Sequence, residues 1–418
     1  MVYSLLRFWV GGGLRVWFRK IYASGNQNIP DNSPLIFACT HPNSAVDYTF
    51  LPLITRLRSF VMVRGDVFEN KWLDKFFRAI WMIPVYRMRD GFSTLNKNTD
   101  SFEECYREFD KNGRTLIFSE GTSIQEKKLQ PLKKGTARLA LDYLESGKNK
   151  EIFVVPMANN YSRFRQFRGT VMTNFGDPIR VSDYRALYVE NRAKAYAKLT
   201  DDLHEALTKV FIGHETYSDD SWAERALNVL RFNRLDNRRT WIIEDETPFK
   251  EEKELSDRFN AFGDTFLSEE WKKTYIELGV NEDLEGVLKR SKRKDFHWML
   301  IFSLSFFIGM ANIIHFLPYQ LSHWIARTKI KDILFENTVM TIGSSVFYLI
   351  QFILVLLVLM PLFGWTGFVI TCSMLAASAI YSELIDDYRF AVKCSGKLKD
   401  YDKYQWLYQE LKASIAHK

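Results

Sequence analysis

Residues 341–382 run for 42 positions without a Lys, Arg, Asp or Glu, and residues 297–317 do the same over 21. A bilayer core needs about 20 apolar residues per helical crossing, so such runs read as membrane segments at about 297–317, 341–360 and 365–382, with a turn at Pro361, Phe363, Gly364 and Trp365. The mean hydropathy of −0.19 conceals this, because it averages a polar first two thirds with an apolar final third. Five basic residues in "KRSKRK" (289–294) stand before the first run. By the positive-inside rule they hold the preceding chain on the cytoplasmic face, where anionic lipid also attracts them. Three crossings would then leave the tail outside, although it carries Lys393, Lys397, Lys399 and Lys403. This parity conflict is relieved if one segment is re-entrant or interfacial; the first, with Asn312 and His315 and an end at Pro318, is the natural choice. His315 and His323 have no metal-ligand spacing partner and read as structural, and no metal site is expected.

Lys and Arg total 57 against 50 Asp and Glu, a net charge of +7. That excess suits a phosphate-bearing partner, either nucleic acid or an anionic membrane; the apolar tail argues for the membrane and against nucleic acid. Cys39, Cys105, Cys372 and Cys394 show no C-x-x-C spacing and read as reduced thiols. The N-terminus, "MVYSLLRFWVGGGLRVWFRKIY", mixes aromatics with arginines and has no acid. Its apolar stretch is interrupted at Gly11, Gly12 and Gly13, and lacks the long apolar core and cleavage site of a secretory signal. Residues 1–25 are therefore expected to form an amphipathic helical segment lying in the headgroup layer, the alternative being a helix packed on the core.

From residue 33 short apolar runs alternate with helical stretches. "PLIFACTH" (34–41), "FVMVRG" (60–65), "WMIPVYR" (81–87), "RTLIFSE" (114–120) and "EIFVVPMANNY" (151–161) read as strands, and 71–80, 92–113 and 135–146 as helices. The fold class expected is α/β: a mixed β-sheet flanked by helices over residues 26–212. A charged helical connector (213–295), two or three membrane helices (296–385) and a C-terminal tail (386–418) follow. Closing strands are expected within "GTVMTNFGDPIRV" (169–181), and a helical run from Arg185 to about Ile212.

In α/β sheets ligands gather at the carboxyl ends of strands. Those ends carry His41, Asn43, Ser44 and Asp47; then Arg87, Arg89 and Asp90; then Ser119, Glu120, Gly121, Thr122 and Ser123. Each has a plain alternative. "SAVD" (44–47) fits a helix capping box, a histidine after a strand is commonly a satisfied polar residue, and Gly-Thr is commonly a turn.

The order of these blocks resembles the glycerophospholipid acyltransferase family: a His with a downstream Asp, then "IPVYRMR", "FSEGTS" and "VVPMANNY", over residues 34–165. "PLKKGTARLA" (131–140) resembles the continuation of the third block. Four residues separate the motif pair in most of that family, whereas five separate His41 from Asp47, a spacing that resembles fungal-type glycerol-3-phosphate acyltransferases and related bacterial proteins. Trp81 stands six residues before Arg87, where the second block commonly opens with glycine, and Ser119 replaces the usual proline of the third.

The resemblance implies a membrane enzyme that moves a fatty acyl group from an acyl-CoA or acyl-carrier-protein thioester to glycerol 3-phosphate or 1-acylglycerol 3-phosphate, with no resident cofactor. A neutral imidazole has the right basicity to deprotonate the attacking hydroxyl, and Asp47 would fix its tautomer as the acid does in serine-hydrolase triads. Arg87 would bind the acceptor phosphate by resemblance, supported by Arg89, because a planar fork holds two oxygens. Glu120 would hold acceptor hydroxyls or a neighbouring arginine, and Asn43, Gly121, Thr122 and Ser123 would line the acceptor site. Amides at the helix start after Pro42 would face the thioester oxyanion. The rivals are acylation of another lyso-lipid, such as an aminolipid, and a noncatalytic lipid-binding protein. A serine hydrolase is disfavoured because no G-x-S-x-G elbow occurs.

Overall fold

Strand β2 (Leu35–Cys39) is buried at every position. Its side chains alternate between two cores: Leu35, Phe37 and Cys39 enter one, Ile36 and Ala38 the other. A strand covered on both faces reads as an unbroken apolar run, and this is why "LIFAC" carries no polar alternation. In the computed structural model, which describes residues 2–55, 57–86, 97–146, 151–165, 167–214, 218, 220–232, 242–278, 297–330, 336, 338–374 and 401–417, β2 lies at the centre of a mixed sheet.

The first part of the chain comprises α1 (Val2–Trp17), β1 (Lys20–Ser24), β2, α2 (Asp47–Thr55), β3 (Phe60–Arg64), α3 (Lys71–Ala79), β4 (Met82–Val85), α4 (Lys97–Phe109), β5 (Arg114–Phe118), α5 (Gly135–Glu145), β6 (Phe153–Tyr161), β7 (Thr170–Phe175) and β8 (Ile179–Arg180). Then follow α6 (Arg185–Glu190), α7 (Arg192–Val210), α8 (Trp222–Phe232), β9 (Ile243–Glu244), α9 (Thr247–Phe262) and α10 (Glu269–Leu278). Strand order is β4-β3-β5-β2-β6-β7-β1-β9, with β8 on β6. Strands β4, β3, β5, β2 and β6 run parallel, and β7 reverses against β6. Helices α4, α5 and α7 supply Phe109, Leu139, Leu199 and Leu203 to one core, whereas α1 and α2 supply Leu14, Trp17, Phe50 and Leu51 to the other.

Several features differ from expectation. Lys20–Ser24, read from sequence as part of the N-terminal segment, is an inner strand paired with β7 and β9. Its three central residues are buried, and Lys20 at the strand start remains half-buried, so a cation there is compatible with the sheet. Nor do the glycines interrupt α1. They permit close contacts: a Cβ at Gly11 would lie 3.0 Å from Leu53 Cδ1, and one at Gly13 would collide with Ser345 Oγ.

The stretch expected to be a connector has its own core, and the expected tail completes it. Helix α11 (His297–Thr328), α12 (Ser344–Phe363), α13 (Trp365–Met374) and α14 (Tyr401–His417) end the chain. Tyr404, Leu407, Leu411 and Ile415 of α14 pack with Leu227, Leu230, Leu255, Phe259 and Trp271 of α8, α9 and α10. The Trp271 indole donates to the Leu407 carbonyl at 2.9 Å. Helices on both chain flanks of the apolar region therefore share one hydrophobic core.

Among the described residues one helix, Val339–Phe363, is long and apolar enough to cross a membrane. Helix α11 continues through Pro318 instead of ending there. Ser344 of α12 donates to Ser322 of α11 at 2.9 Å, and the Trp9 indole of α1 donates to the Ser345 carbonyl at 2.5 Å. At Gly364 (φ 55°) the chain reverses, and α13 returns so closely that a Cβ on Gly367 would lie 2.3 Å from the Leu359 carbonyl oxygen. Residues 375–382 of the third expected segment lie outside the described residues.

Candidate active site

Three strand ends converge on one point. The pairing of Cys39 with Phe118 on β5 and with Met157 on β6 puts the ends of β2 and β5 side by side, while β6 runs four residues further to Tyr161. Beyond β2 the chain turns through Ser44 (φ 48°) into a 3₁₀ turn, Ser44–Val46, and Asp47 is the first residue of α2. This turn brings Asp47 back beneath His41.

His41 Nδ1 lies 3.1 Å from Asp47 Oδ2. The histidine side chain is 18% exposed and the aspartate 0%, so one end of the imidazole is open and the other is held by a buried carboxylate. The ring stacks on Phe118, with centroids 3.7 Å apart and planes 15° from parallel. Asp47 Oδ2 also accepts the Asn43 N–H at 2.7 Å, and Oδ1 accepts the Tyr161 hydroxyl at 2.6 Å. Burial, followed by the Asp47 charge, pushes the Tyr161 phenol well above its ordinary value, so it remains a donor. Asn159, two residues earlier on the same face of β6, donates to the Asp47 carbonyl at 3.0 Å and accepts from Thr173. A buried carboxylate with three donors is well solvated by the protein, so the charge that steadies His41 is affordable without water.

The capping-box reading of "SAVD" does not describe this turn. Asp47 reaches the Asn43 amide, not that of Ser44, and the Ser44 N–H donates to Ser123 Oγ at 3.1 Å. Those two amides, expected to face an oxyanion, are thus already engaged.

Glu120 lies beneath the histidine. Its Oε2 accepts the His41 N–H at 3.2 Å, so it holds the backbone of His41 where an acceptor hydroxyl or an arginine was expected. Burial pushes its carboxyl up to about 8, against the lowering effect of amides from His41 and Gln130. Gly121 turns with φ 68°, and a Cβ there would lie 3.1 Å from Lys133 Cγ. Ser119, at the position where proline is usual, bonds Thr136 Oγ1 at 2.9 Å and ties the loop to the first turn of α5. Thr122 is half-buried beside these residues. Arg87, Arg89 and Asp90 lie outside the described residues; the residue before Arg87 is gripped by Asn98, which accepts the Tyr86 N–H at 2.8 Å and donates to its carbonyl at 2.7 Å.

Sequence reasoning missed Tyr161, Asn159, Phe118, Gln125 and Arg165. Gln125 spans Asn43 Oδ1 at 3.5 Å and Arg165 Nε at 2.6 Å. The i, i+2 spacing of Asn159 and Tyr161 on a strand ending beside the histidine was the available signal. Further along the same loop, Lys127 joins the sheet domain to the helices: it donates to the Ser162 carbonyl at 2.9 Å and to Glu224 of α8 at 2.6 Å. Arg231 and Glu252 extend this buried pair at 2.7 Å from each other, and His214 lies 3.5 Å from Glu224. Among the described residues no cluster of His, Cys, Asp and Glu could hold a metal ion.

Residues 20–160 match the family model described as Acyltransferase. The chain is 24% identical over 192 residues to the 1-acyl-sn-glycerol-3-phosphate acyltransferase of Bacillus subtilis, covering 46% of this chain and 87% of that protein. It is 28% identical over 114 residues to glycerol-3-phosphate O-acyltransferase 2 of Saccharomyces cerevisiae, covering 27% of this chain but only 15% of the yeast protein. With yeast glycerol-3-phosphate O-acyltransferase 1 it shares 32% identity over 104 residues, 24% of this chain and 14% of the relative. The crystal structure of the 1-acyl-sn-glycerophosphate acyltransferase of Thermotoga maritima aligns with a TM-score of 0.34 and 15% identity, over 51% of this chain and 81% of the other. Residues 20–160, which carry the His41–Asp47 pair, are thus similar in sequence to acyltransferases.

Proposed function

We propose that the protein transfers an acyl group from a coenzyme A or acyl-carrier-protein thioester to the hydroxyl of glycerol 3-phosphate or 1-acylglycerol 3-phosphate. The observation that carries this reading is the partly exposed imidazole backed by a buried, triply hydrogen-bonded carboxylate. Asp47 holds Nδ1 protonated, which leaves Nε2 as the base. Nε2 takes the hydroxyl proton as the oxygen attacks the thioester carbonyl. Collapse of the tetrahedral intermediate breaks the C–S bond, and the imidazolium returns its proton to the departing thiolate. An ester and a free thiol result, with no net change in the enzyme.

Arg87, with Arg89, binds the acceptor phosphate in this scheme, and Asn43, Thr122 and Ser123 line the approach. Glu120 keeps the backbone under His41 fixed. The partners are the thioester donor, the glycerol phosphate or lysophospholipid acceptor and an anionic membrane, with the catalytic domain at the cytoplasmic face. Because α10 and α14 share one core, the apolar region between them leaves the bilayer on the side it entered. The reversal at Gly364 supports such a return and relieves the parity conflict.

An acceptor screen tests the reading. Purified protein given labelled acyl thioester should acylate glycerol 3-phosphate or its monoacyl product in preference to lyso-aminolipids. Exclusive acylation of a phosphate-free acceptor would overturn it.

A further inference from the structure

Helix α3 is amphipathic, yet none of its residues is buried. At 100° per residue, Trp72, Phe76, Ile80, Leu73 and Phe77 fall on one arc of about 140°, and Lys71, Asp74, Lys75 and Arg78 occupy the opposite side. The apolar arc lies open: Trp72 is 80% exposed, Leu73 and Phe76 45% each, and Val67 just before the helix 36%. The helix is held at its ends. Asn70 caps it by accepting the Trp72 N–H at 2.9 Å, and Arg78 ties it to Glu104 of α4 at 3.0 Å.

Further exposed apolar side chains lie on elements that meet the end of α3. Trp81, just past α3, packs its ring 5.8 Å from Tyr3 of α1. Leu5 and Phe8 of α1 are 58% and 69% exposed. Helix α1 in turn packs on α12 through Trp9 and Phe352, ring centroids 6.1 Å apart, and α12 exposes Leu354, Leu357 and Leu362. Trp81, just past the end of α3, thus touches α1, and α1 touches α12, the helix long enough to cross a membrane. The flanking charge fits the same partner. Lys71 and Lys75 are exposed beside the arc, and the Arg58 guanidinium sits 5.5 Å over the Trp81 ring. An amphipathic helix with aromatics on one side and lysines on the other suits the headgroup–acyl boundary of an anionic bilayer.

We propose that α3 is a membrane-docking helix that lays Trp72, Leu73 and Phe76 into an anionic bilayer. It connects β3 to β4, the strand that leads to Arg87, so its insertion would bring the acceptor side of the site to headgroup level. The proposal rests on the membrane-bound reading of α12, but not on the acyl-transfer chemistry.

The test uses the full chain, with Cys372 and Cys394 replaced by Ser, reconstituted into vesicles of phosphatidylcholine and phosphatidylglycerol. An environment-sensitive fluorophore is placed at Phe76→Cys and, as the control, at Val189→Cys, an exposed position on α6 (74%). Nitroxide lipids labelled near the headgroup should quench the probe at 76 about threefold more than at 189. Lys71→Glu with Lys75→Glu should reduce that quenching in the anionic vesicles. Equal quenching at 76 and 189, in protein that retains acyl transfer, would overturn the docking proposal while leaving the catalytic reading intact. Equal quenching together with undiminished protection of 76 from aqueous quenchers would mean that a second copy of this chain covers the helix, and would equally overturn it.

Discussion

The Tyr161 hydroxyl donates to Asp47 Oδ1 at 2.6 Å, while His41 Nδ1 approaches the other carboxylate oxygen of Asp47 at 3.1 Å. The aspartate is therefore fixed from two sides, and its orientation toward the imidazole depends on a residue 114 positions away in sequence. Removing that phenol should disturb catalysis without contact with substrate.

Tyr161→Phe deletes one hydrogen bond to a buried charge, worth about 1.5–3 kcal/mol. If the whole loss falls on the transition state, kcat drops about 10- to 100-fold. Steady-state kinetics should show the fall in kcat with KM for the acyl donor nearly unchanged, and the pH–rate profile should shift. A variant with wild-type kcat and profile would remove Tyr161 from the account.

Glu120 supplies a pH prediction. Its folded carboxyl titrates near 8, above the unfolded value near 4.5, because burial disfavours the charge. The native state therefore holds a proton that the unfolded state has released, and stability falls as pH rises from about 4.5 through 8. Thermal unfolding of the detergent-solubilised protein should show wild type losing stability across that window relative to Glu120→Gln, by up to a few kcal/mol. Parallel stability curves for the two proteins would contradict this assignment.

The Lys127–Glu224 pair ties the helices to the loop that follows Glu120. Burial lowers the Lys127 ammonium to about 8, partly opposed by Glu224. Burial alone would raise the Glu224 carboxyl, yet Lys127, His214 and Arg231 hold it well below the carboxylate range. Breaking a buried pair from one side typically costs about 3–5 kcal/mol, because the remaining charge is stranded. Glu224→Leu should therefore destabilise strongly, and Lys127→Met with Glu224→Leu should recover much of the loss. A double-mutant cycle on unfolding midpoints checks this; strictly additive effects would show the pair to be uncoupled.

The proposed membrane topology rests on the shared core of α10 and α14. Cysteines introduced at Glu270 and Asp402, in a chain lacking Cys372 and Cys394, should react with an impermeant maleimide from the same side of sealed vesicles. Labelling from opposite sides would mean an odd number of crossings and a detached α14. Leu411→Ala, which deletes a fully buried side chain of that core, should cost about 2–5 kcal/mol.

Much of the sheet was legible because its strands are buried on both faces. "LIFAC", "FVMVR" and "RTLIF" needed no long-range information to be recognised. The His41–Asp47 pairing was legible from the order of the blocks and from Pro42, which marks a helix boundary after His41; the turn at Ser44 that folds Asp47 back was not. What stayed hidden was tertiary. Lys20–Ser24 carries a cation and follows aromatics, so only its pairing with β7 identifies it as a strand. The role of Tyr161 depends on β6 running past the end of β2, which no local pattern reveals. Helix α14 displays its periodicity in sequence, with Tyr404, Leu407, Leu411 and Ile415 on one face, but the helices it packs on lie far earlier in the chain. Glu120 was read as a partner of acceptor hydroxyls or of an arginine; its bond to the His41 N–H follows from the β2–β5 pairing, which sets the two strand ends side by side.

The most direct test of the account is single-turnover transfer by His41→Ala, using labelled acyl thioester and glycerol 3-phosphate or its monoacyl product, with folding verified by an unchanged unfolding midpoint. Loss of the general base should slow transfer by about 10²–10⁴-fold. Transfer at the wild-type rate from a correctly folded His41→Ala protein would contradict the assignment of His41 as the base.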